Sequence, residues 1–165
     1  VNGAITIFDV AKGDFSVQKT TWNAHQDFIT CLRAAPGQSQ LLSGSQAGDV
    51  HFWDMRAPPA NPTAALQYHT RLVTDMQLLG DRTLYTSSAD ASLLQWDLRK
   101  LQAPVGMFIP DKASVLALKV NSANPRQLAI STLKGLYCMD PRDHTLQCVS
   151  PLGSKITYPS VDWNA

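Results

Sequence analysis

Leu41 to Arg56, LLSGSQAGDVHFWDMR, and Leu84 to Arg99, LYTSSADASLLQWDLR, are two copies of one unit. Each copy runs from an apolar strand through a bend of small residues into a second, alternating strand, and ends on Trp-Asp-x-Arg. The tryptophans, Trp53 and Trp96, stand 43 residues apart. A period of about 40 to 45 residues belongs to a repeated four-stranded sheet, and a unit of that size buries its apolar faces only by stacking on its neighbours. Two weaker copies fall in phase. Asn2 to Val10, NGAITIFDV, sets Phe8-Asp9 where Trp-Asp falls, and Leu128 to Arg142, LAISTLKGLYCMDPR, sets Met139-Asp140 there. Asp9, Asp54, Asp97 and Asp140 therefore recur every 43 to 45 residues.

Alternation places the strands within this period. The first copy has Ile5 and Ile7 alternating with Thr6 and Phe8, then a strand over Phe15 to Thr20. Ile29 to Ala34 follows, bounded by Pro36-Gly37, and Leu41 to Ser45 pairs with Asp49 to Trp53 as a hairpin around Gly48. Arg56 to Pro62, RAPPANP, carries three prolines and is read as a surface connection. The pattern restarts at Ala65 to Tyr68, Val73 to Leu79, Thr83 to Ser88 and Ser92 to Trp96. It continues through Val105 to Ile109, Val115 to Val120, Leu128 to Ser131, Gly135 to Met139 and Leu146 to Val149. Ser160 to Ala165 reads as the first strand of another unit, and no segment has helical periodicity. The fold class is all-β: a β-propeller of four-stranded antiparallel blades, present in part as three to four blades. The blade fragments are 1–22, 23–66, 67–110, 111–150 and the start of another over 151–165, so residues 1–165 form one propeller segment.

Composition narrows the function classes. Hydrophobic residues make up 44% and charged ones 16%, which is the balance of a packed chain. The net charge of +1, without a basic block, argues against nucleic acid as a direct partner and against membrane surfaces. No apolar run approaches bilayer-spanning length. Cys31, Cys138 and Cys148 are odd in number and widely spaced, which fits thiols in a reducing, intracellular compartment, cytoplasmic or nuclear. A Cys138–Cys148 disulfide across adjacent strands is the alternative. No Cys or His pair has zinc-ligand spacing, no Gly-rich loop leads into Lys and a helix, and the four histidines are scattered. No cofactor, metal or catalytic residue is expected.

These residues resemble the WD-repeat (WD40) family, whose unit carries Gly-His before one strand and Trp-Asp at the end of a later one. Ala24-His25 and Tyr68-His69 occupy the Gly-His position, 28 and 27 residues before Trp53 and Trp96. The resemblance implies a hydrogen-bonded network inside each blade, made by the histidine, a turn aspartate, a strand hydroxyl and the tryptophan. On this chain the second blade supplies His69, Asp90, Thr86 or Ser88, and Trp96. The first has Ala47 in place of the aspartate, so His25, Ser43 and Trp53 are expected to make a partial network. The third has neither histidine nor tryptophan, and Asp111 stands near the histidine position. His69, Asp90 and Ser88 also have the composition of a nucleophilic triad, but the repeat accounts for every member.

The resemblance implies an interaction scaffold that binds other proteins within an intracellular complex, and no enzyme. Gln26, Asp27, Phe28, Arg71 and Leu72 would be displayed on the face of the histidine loops, unless Phe28 and Leu72 pack inward. Arg56, Arg99 and Arg142 would mark the other face. Two successive Trp-Asp-x-Arg units look like the docking motif of substrate receptors of cullin–RING ubiquitin ligases, where the arginine projects toward the adaptor. Alternatively each arginine pairs with its preceding aspartate. Propellers of this family close with about seven blades. This chain, which opens on Val1, is therefore read as a piece of a longer one, its missing blades supplied by the rest of that chain or by another subunit.

Overall fold

A computed structural model describes residues 3–8, 18–35, 39–56 and 61–151. Asp9, Pro36-Gly37, residues 57–60 of the proline-rich connection and the strand expected over 160–165 lie outside the described residues. Fourteen strands and no helix occur among the described residues. A two-stranded sheet pairs β1 (Ala4–Phe8) with β2 (Gln18–Asn23). The first four-stranded blade is β3 (Ile29–Ala35), β4 (Gln40–Ser45), β5 (Asp49–Asp54) and β6 (Ala64–Gln67). The second is β7 (Val73–Leu79), β8 (Thr83–Ser88), β9 (Leu93–Asp97) and β10 (Gly106–Phe108). The third is β11 (Val115–Val120), β12 (Leu128–Thr132), β13 (Gly135–Met139) and β14 (Leu146–Pro151). Within each blade, strands adjacent in sequence pair antiparallel.

The sequence expectation of β10 over Val105 to Ile109 shrinks to three residues. Pro104 and Pro110 flank the stretch and cannot donate to a ladder, so pairing with β9 is confined to Gly106, Met107 and Phe108.

Stacking follows from which strands are covered on both faces. β8 and β12 are buried almost throughout, whereas β3 alternates half-buried and exposed residues. One apolar core joins the first blade (Leu42, Val50, Phe52, Leu66) to the second (Val73, Met76, Leu84, Leu94, Trp96). Another joins Tyr85 and Leu93 of the second to Val115, Leu118, Leu128, Ile130 and Met139 of the third. Trp53 packs the opposite face of the first blade against Ile5 and Ala24. The second blade is thus the middle layer of a stack. At about 25 cal/mol per Å² of apolar surface removed from water, faces covered on both sides supply most of the favourable energy.

The blades repeat in irregularity as well. Each of the strands β3, β7 and β11 breaks register once, at Ile29/Cys31, Val73/Asp75 and Val115/Ala117. A bulge at the same point of each strand bends it and increases the local twist in the same way. Antiparallel order then sorts the connections. The β2–β3, β6–β7 and β10–β11 loops share one face with the β4–β5, β8–β9 and β12–β13 turns. The β5–β6, β9–β10 and β13–β14 connections share the opposite face.

Candidate functional site

In the second blade the loop after β6 brings His69 beneath the β8–β9 turn. Its Nε2 lies 2.8 Å from Thr86 Oγ1, and Trp96 Nε1–H donates to the same oxygen at 3.0 Å. Its Nδ1 lies 2.9 Å from Ser92 Oγ and 3.4 Å from Asp90 Oδ2. The Ser92 hydroxyl donates to Asp90 Oδ1, and Asp90 Oδ2 accepts the Thr70 N–H at 2.8 Å. An occupied serine hydroxyl and a carboxylate can only accept from the ring. Nδ1 therefore carries the proton, and Nε2 accepts the Thr86 hydroxyl hydrogen. Burial pushes the His69 pKa below 6.5 against the opposing pull of Asp90, so the ring is neutral and its contact with Asp90 is a polar contact rather than an ion pair. Burial would raise the Asp90 pKa, but hydrogen bonds from Ser92 and Thr70, with His69 nearby, together hold it below the usual carboxylate range.

Of the two hydroxyls open to the sequence reading, Thr86 is the one at the ring. Ser88 instead donates to the Arg71 carbonyl at 3.1 Å and accepts the Asp90 N–H at 3.0 Å. Ser92 went unnoticed in the sequence, although Asp90-x-Ser92 is a turn signature and Ala91 takes the left-handed φ of 73° that this turn requires.

The first blade keeps half of this arrangement. His25 Nε2 lies 2.7 Å from Ser43 Oγ, which accepts Trp53 Nε1–H at 2.9 Å. Ala47 stands at the register of Asp90, Asp49 at that of Ser92 and His51 at that of Leu94. The His51 ring stacks on His25 with centroids 4.1 Å apart, and its Nδ1–H donates to the Ala24 carbonyl at 2.9 Å. Burial, followed by the neighbouring His51, lowers the His25 pKa, with Asp27 and Asp49 opposing. The reading of scattered histidines without ligand geometry needs correction: donor atoms of His25, Asp49 and His51 lie within 4.8 Å of one another. In the third blade, Asp111 holds the loop instead, with Oδ1 accepting the Ala113 N–H at 2.9 Å and Oδ2 accepting the Thr132 hydroxyl.

One backbone hydrogen bond recurs on the histidine-loop face and ties loop to turn: Gln46 N–H to Phe28, Ala89 to Leu72 and Leu133 to Ser114. Phe28 does not pack inward; it is 55% exposed, while Leu72 is half-buried. Gln26 and Arg71 are exposed on the same face, and Asp27 is half-buried. On the opposite face, the Arg56 side chain folds back on Asp54, with Nε 2.9 and 3.0 Å from the two carboxylate oxygens. Arg99 repeats this on Asp97 at 2.9 and 3.2 Å. The Arg56 hydrogen bonds bring the Asp54 pKa down to about 2, and those of Arg99 lower Asp97 further. Arg142 is exposed, and its backbone N–H donates to Asp140 at 2.9 Å. The three cysteines are free thiols.

Comparison with known proteins agrees with this architecture. The family model "WD domain, G-beta repeat" matches residues 16–54. Eukaryotic translation initiation factor 3 subunit I of Anopheles gambiae is 29% identical over 89 residues, half of this chain and 27% of that protein. WD repeat-containing protein 1 of Mus musculus is 28% identical over 94 residues, 57% of this chain and 15% of that one. The chain thus spans less than a third of these relatives. A chain in the crystal structure of the mitotic checkpoint complex superposes with a TM-score of 0.81 at 24% identity, covering 96% of this chain and 47% of that one. Repeat period, blade order, the His–hydroxyl–Trp network and the matched repeat converge: residues 16–54 match a WD repeat, and the chain has the architecture of a WD-repeat β-propeller, present in part.

Proposed function

We propose that this segment is a non-enzymatic scaffold that binds other proteins through the face of its histidine loops, inside an intracellular multiprotein complex. The observation that carries the reading is Phe28, a large apolar side chain held out to solvent on a loop pinned to the next turn, on the same face as the exposed Gln26 and Arg71. Aromatic and arginine side chains on a rigid support are the usual anchors of protein interfaces. A net charge of +1 favours protein over nucleic acid as the occupant. The side chains with the composition of a triad support no nucleophilic reading, because Ser88 is spent on a carbonyl and His69 on Thr86. The test is affinity capture from source cells with wild type and with Phe28→Ala plus Arg71→Ala. A partner set lost from the double variant at unchanged melting temperature supports the reading; an unchanged partner set sinks it.

A second reading, substrate receptor of a cullin–RING ubiquitin ligase, draws support from one feature. Arg56 and Arg99 present their guanidinium groups in the same geometry on successive blades of the opposite face, at 76% and 64% side-chain exposure. Their pairing with Asp54 and Asp97 competes with any adaptor, and exposed pairs of this kind are weak enough to exchange. Direct binding to the ligase adaptor that disappears on Arg56→Ala plus Arg99→Ala is the result this reading requires.

A further inference from the structure

His25, Asp49 and His51 line a cleft of about 600 Å³ on the histidine-loop face of the first blade, together with Asn23, Asp27 and Gln67. The second blade has no such cluster, because it carries Ser92 and the buried Leu94 where the first carries Asp49 and His51. Where Asp90, Ser92 and Leu94 close the network of the second blade, Ala47, Asp49 and His51 leave that of the first open and polar. The hydrogen bonds around the two rings suit metal binding. His51 donates Nδ1–H to the Ala24 carbonyl, which leaves the lone pair on Nε2. In the tautomer whose Nε2–H donates to Ser43 Oγ, His25 keeps the lone pair on Nδ1, which is then its coordinating nitrogen. A ligating histidine commonly uses its other nitrogen in this way, and the outer partner orients the ring.

We propose that His25, Asp49 and His51 form a zinc-binding site, with the fourth position open to the cleft. Two imidazoles and one carboxylate are borderline nitrogen and oxygen donors, which suit Zn²⁺ rather than Ca²⁺ or Mg²⁺. Tetrahedral zinc with bonds of about 2.0 Å sets its ligand atoms roughly 3.3 Å apart. The three donors, now within 4.8 Å, close that gap when the half-buried His51 ring tilts out of its stack on His25. The ion ties the loop before β3 to strand β5, the fastening that Asp90 supplies in the second blade. This inference is independent of the scaffold reading.

The test uses the full chain, stripped of metal with a chelator and titrated with Zn²⁺ alone by calorimetry. His51→Leu and Asp49→Ser are titrated beside it; both introduce what the second blade already carries at that register, so the fold is kept. The expected result is one equivalent bound with micromolar or tighter affinity, weakened by at least about 100-fold in either variant, since even outer partners cost up to that much. Zinc raises the melting temperature of wild type alone. Substituted Co²⁺ shows visible bands of a nitrogen and oxygen donor set, without the thiolate charge-transfer band that Cys31, Cys138 or Cys148 would produce. Millimolar affinity, a thiolate band, or variants that bind as tightly as wild type overturn the proposal.

Discussion

Thr86 is a small side chain that serves two large ones. Its hydroxyl oxygen accepts the Trp96 indole hydrogen while its own hydrogen satisfies His69. Thr86→Val keeps the shape and strands both ring nitrogens in the core; each unpaired buried group costs about 1 to 3 kcal/mol. The variant is expected to lose roughly 2 to 4 kcal/mol in chemical denaturation, and a loss under about 1 kcal/mol would remove the network from the stability argument. His69 also sets a pH dependence. Its folded pKa lies below 6.5, so below that pH the unfolded chain takes up the proton more readily than the folded one. The stability it contributes is complete above pH 6.5 and is lost as the pH falls through that value toward the folded pKa. Asp90, depressed from 3.8, adds its own loss only below pH 3.8. Denaturation midpoints at pH 7.5 and 5.5 should fall in that order, and His69→Gln should reduce the difference, the remainder belonging to His25, whose pKa burial also lowers. His69 and Trp96 were legible in the sequence because they recur at fixed intervals, and Asp90 through the family resemblance, since Ala47 stands at its place in the first blade. Ser92 was not, since a serine in a turn carries no periodic signal.

Turns between the second and third strands of the blades are where one blade meets the next. A Cβ on Gly48 would stand 2.4 Å from the His69 carbonyl oxygen, and its φ of 99° disfavours any side chain. Ala91 fills the same place in the second blade at φ 73°. Left-handed backbone costs an L-residue about 1 to 2 kcal/mol. Gly48→Ala is therefore expected to destabilise by more than about 2 kcal/mol, because strain and collision add. Ala91→Gly is expected to stabilise by about 0.5 to 1 kcal/mol. Opposite signs in thermal melts check the pair. Strand existence was readable throughout from alternation and turn residues, whereas β10 came out short because ladder geometry beside proline overrides an apolar run. The His25–Asp49–His51 cluster was hidden for another reason. Asp49 and His51 share one face of β5, but His25 comes from a loop 24 residues earlier, and only the curl of the blade brings it over them.

Across the whole molecule, one carboxylate reaches three blades. Asp75 on β7 accepts from Arg33 Nη2 on β3 and, through Oδ2, from the Leu118 N–H on β11 at 2.9 Å. Arg33 also donates through Nε to the Met76 carbonyl at 2.8 Å. Cys31 and Ala117 hold the register of Asp75 in the flanking blades, so an acid where the neighbouring repeats carry a small uncharged side chain was the available signal, and no single repeat explains it. Asp75→Ala is expected to cost about 2 to 4 kcal/mol, because it leaves a buried N–H unsatisfied and a guanidinium unpaired. Arg33→Ala should cost under about 1 kcal/mol, since that side chain is 40% exposed and solvent already screens it. Equal losses in the two variants would show that Asp75 acts on Arg33 alone. The arrangement also governs how this protein can be divided. A cut in the loop between Gln67 and Val73 parts Arg33 from its anion, and a cut between Phe108 and Val115 parts the same anion from Leu118, so fragments ending at either place inherit a severed joint. Insertions into the Arg56–Pro62 or Pro104 connections leave all three ends of that joint in one piece.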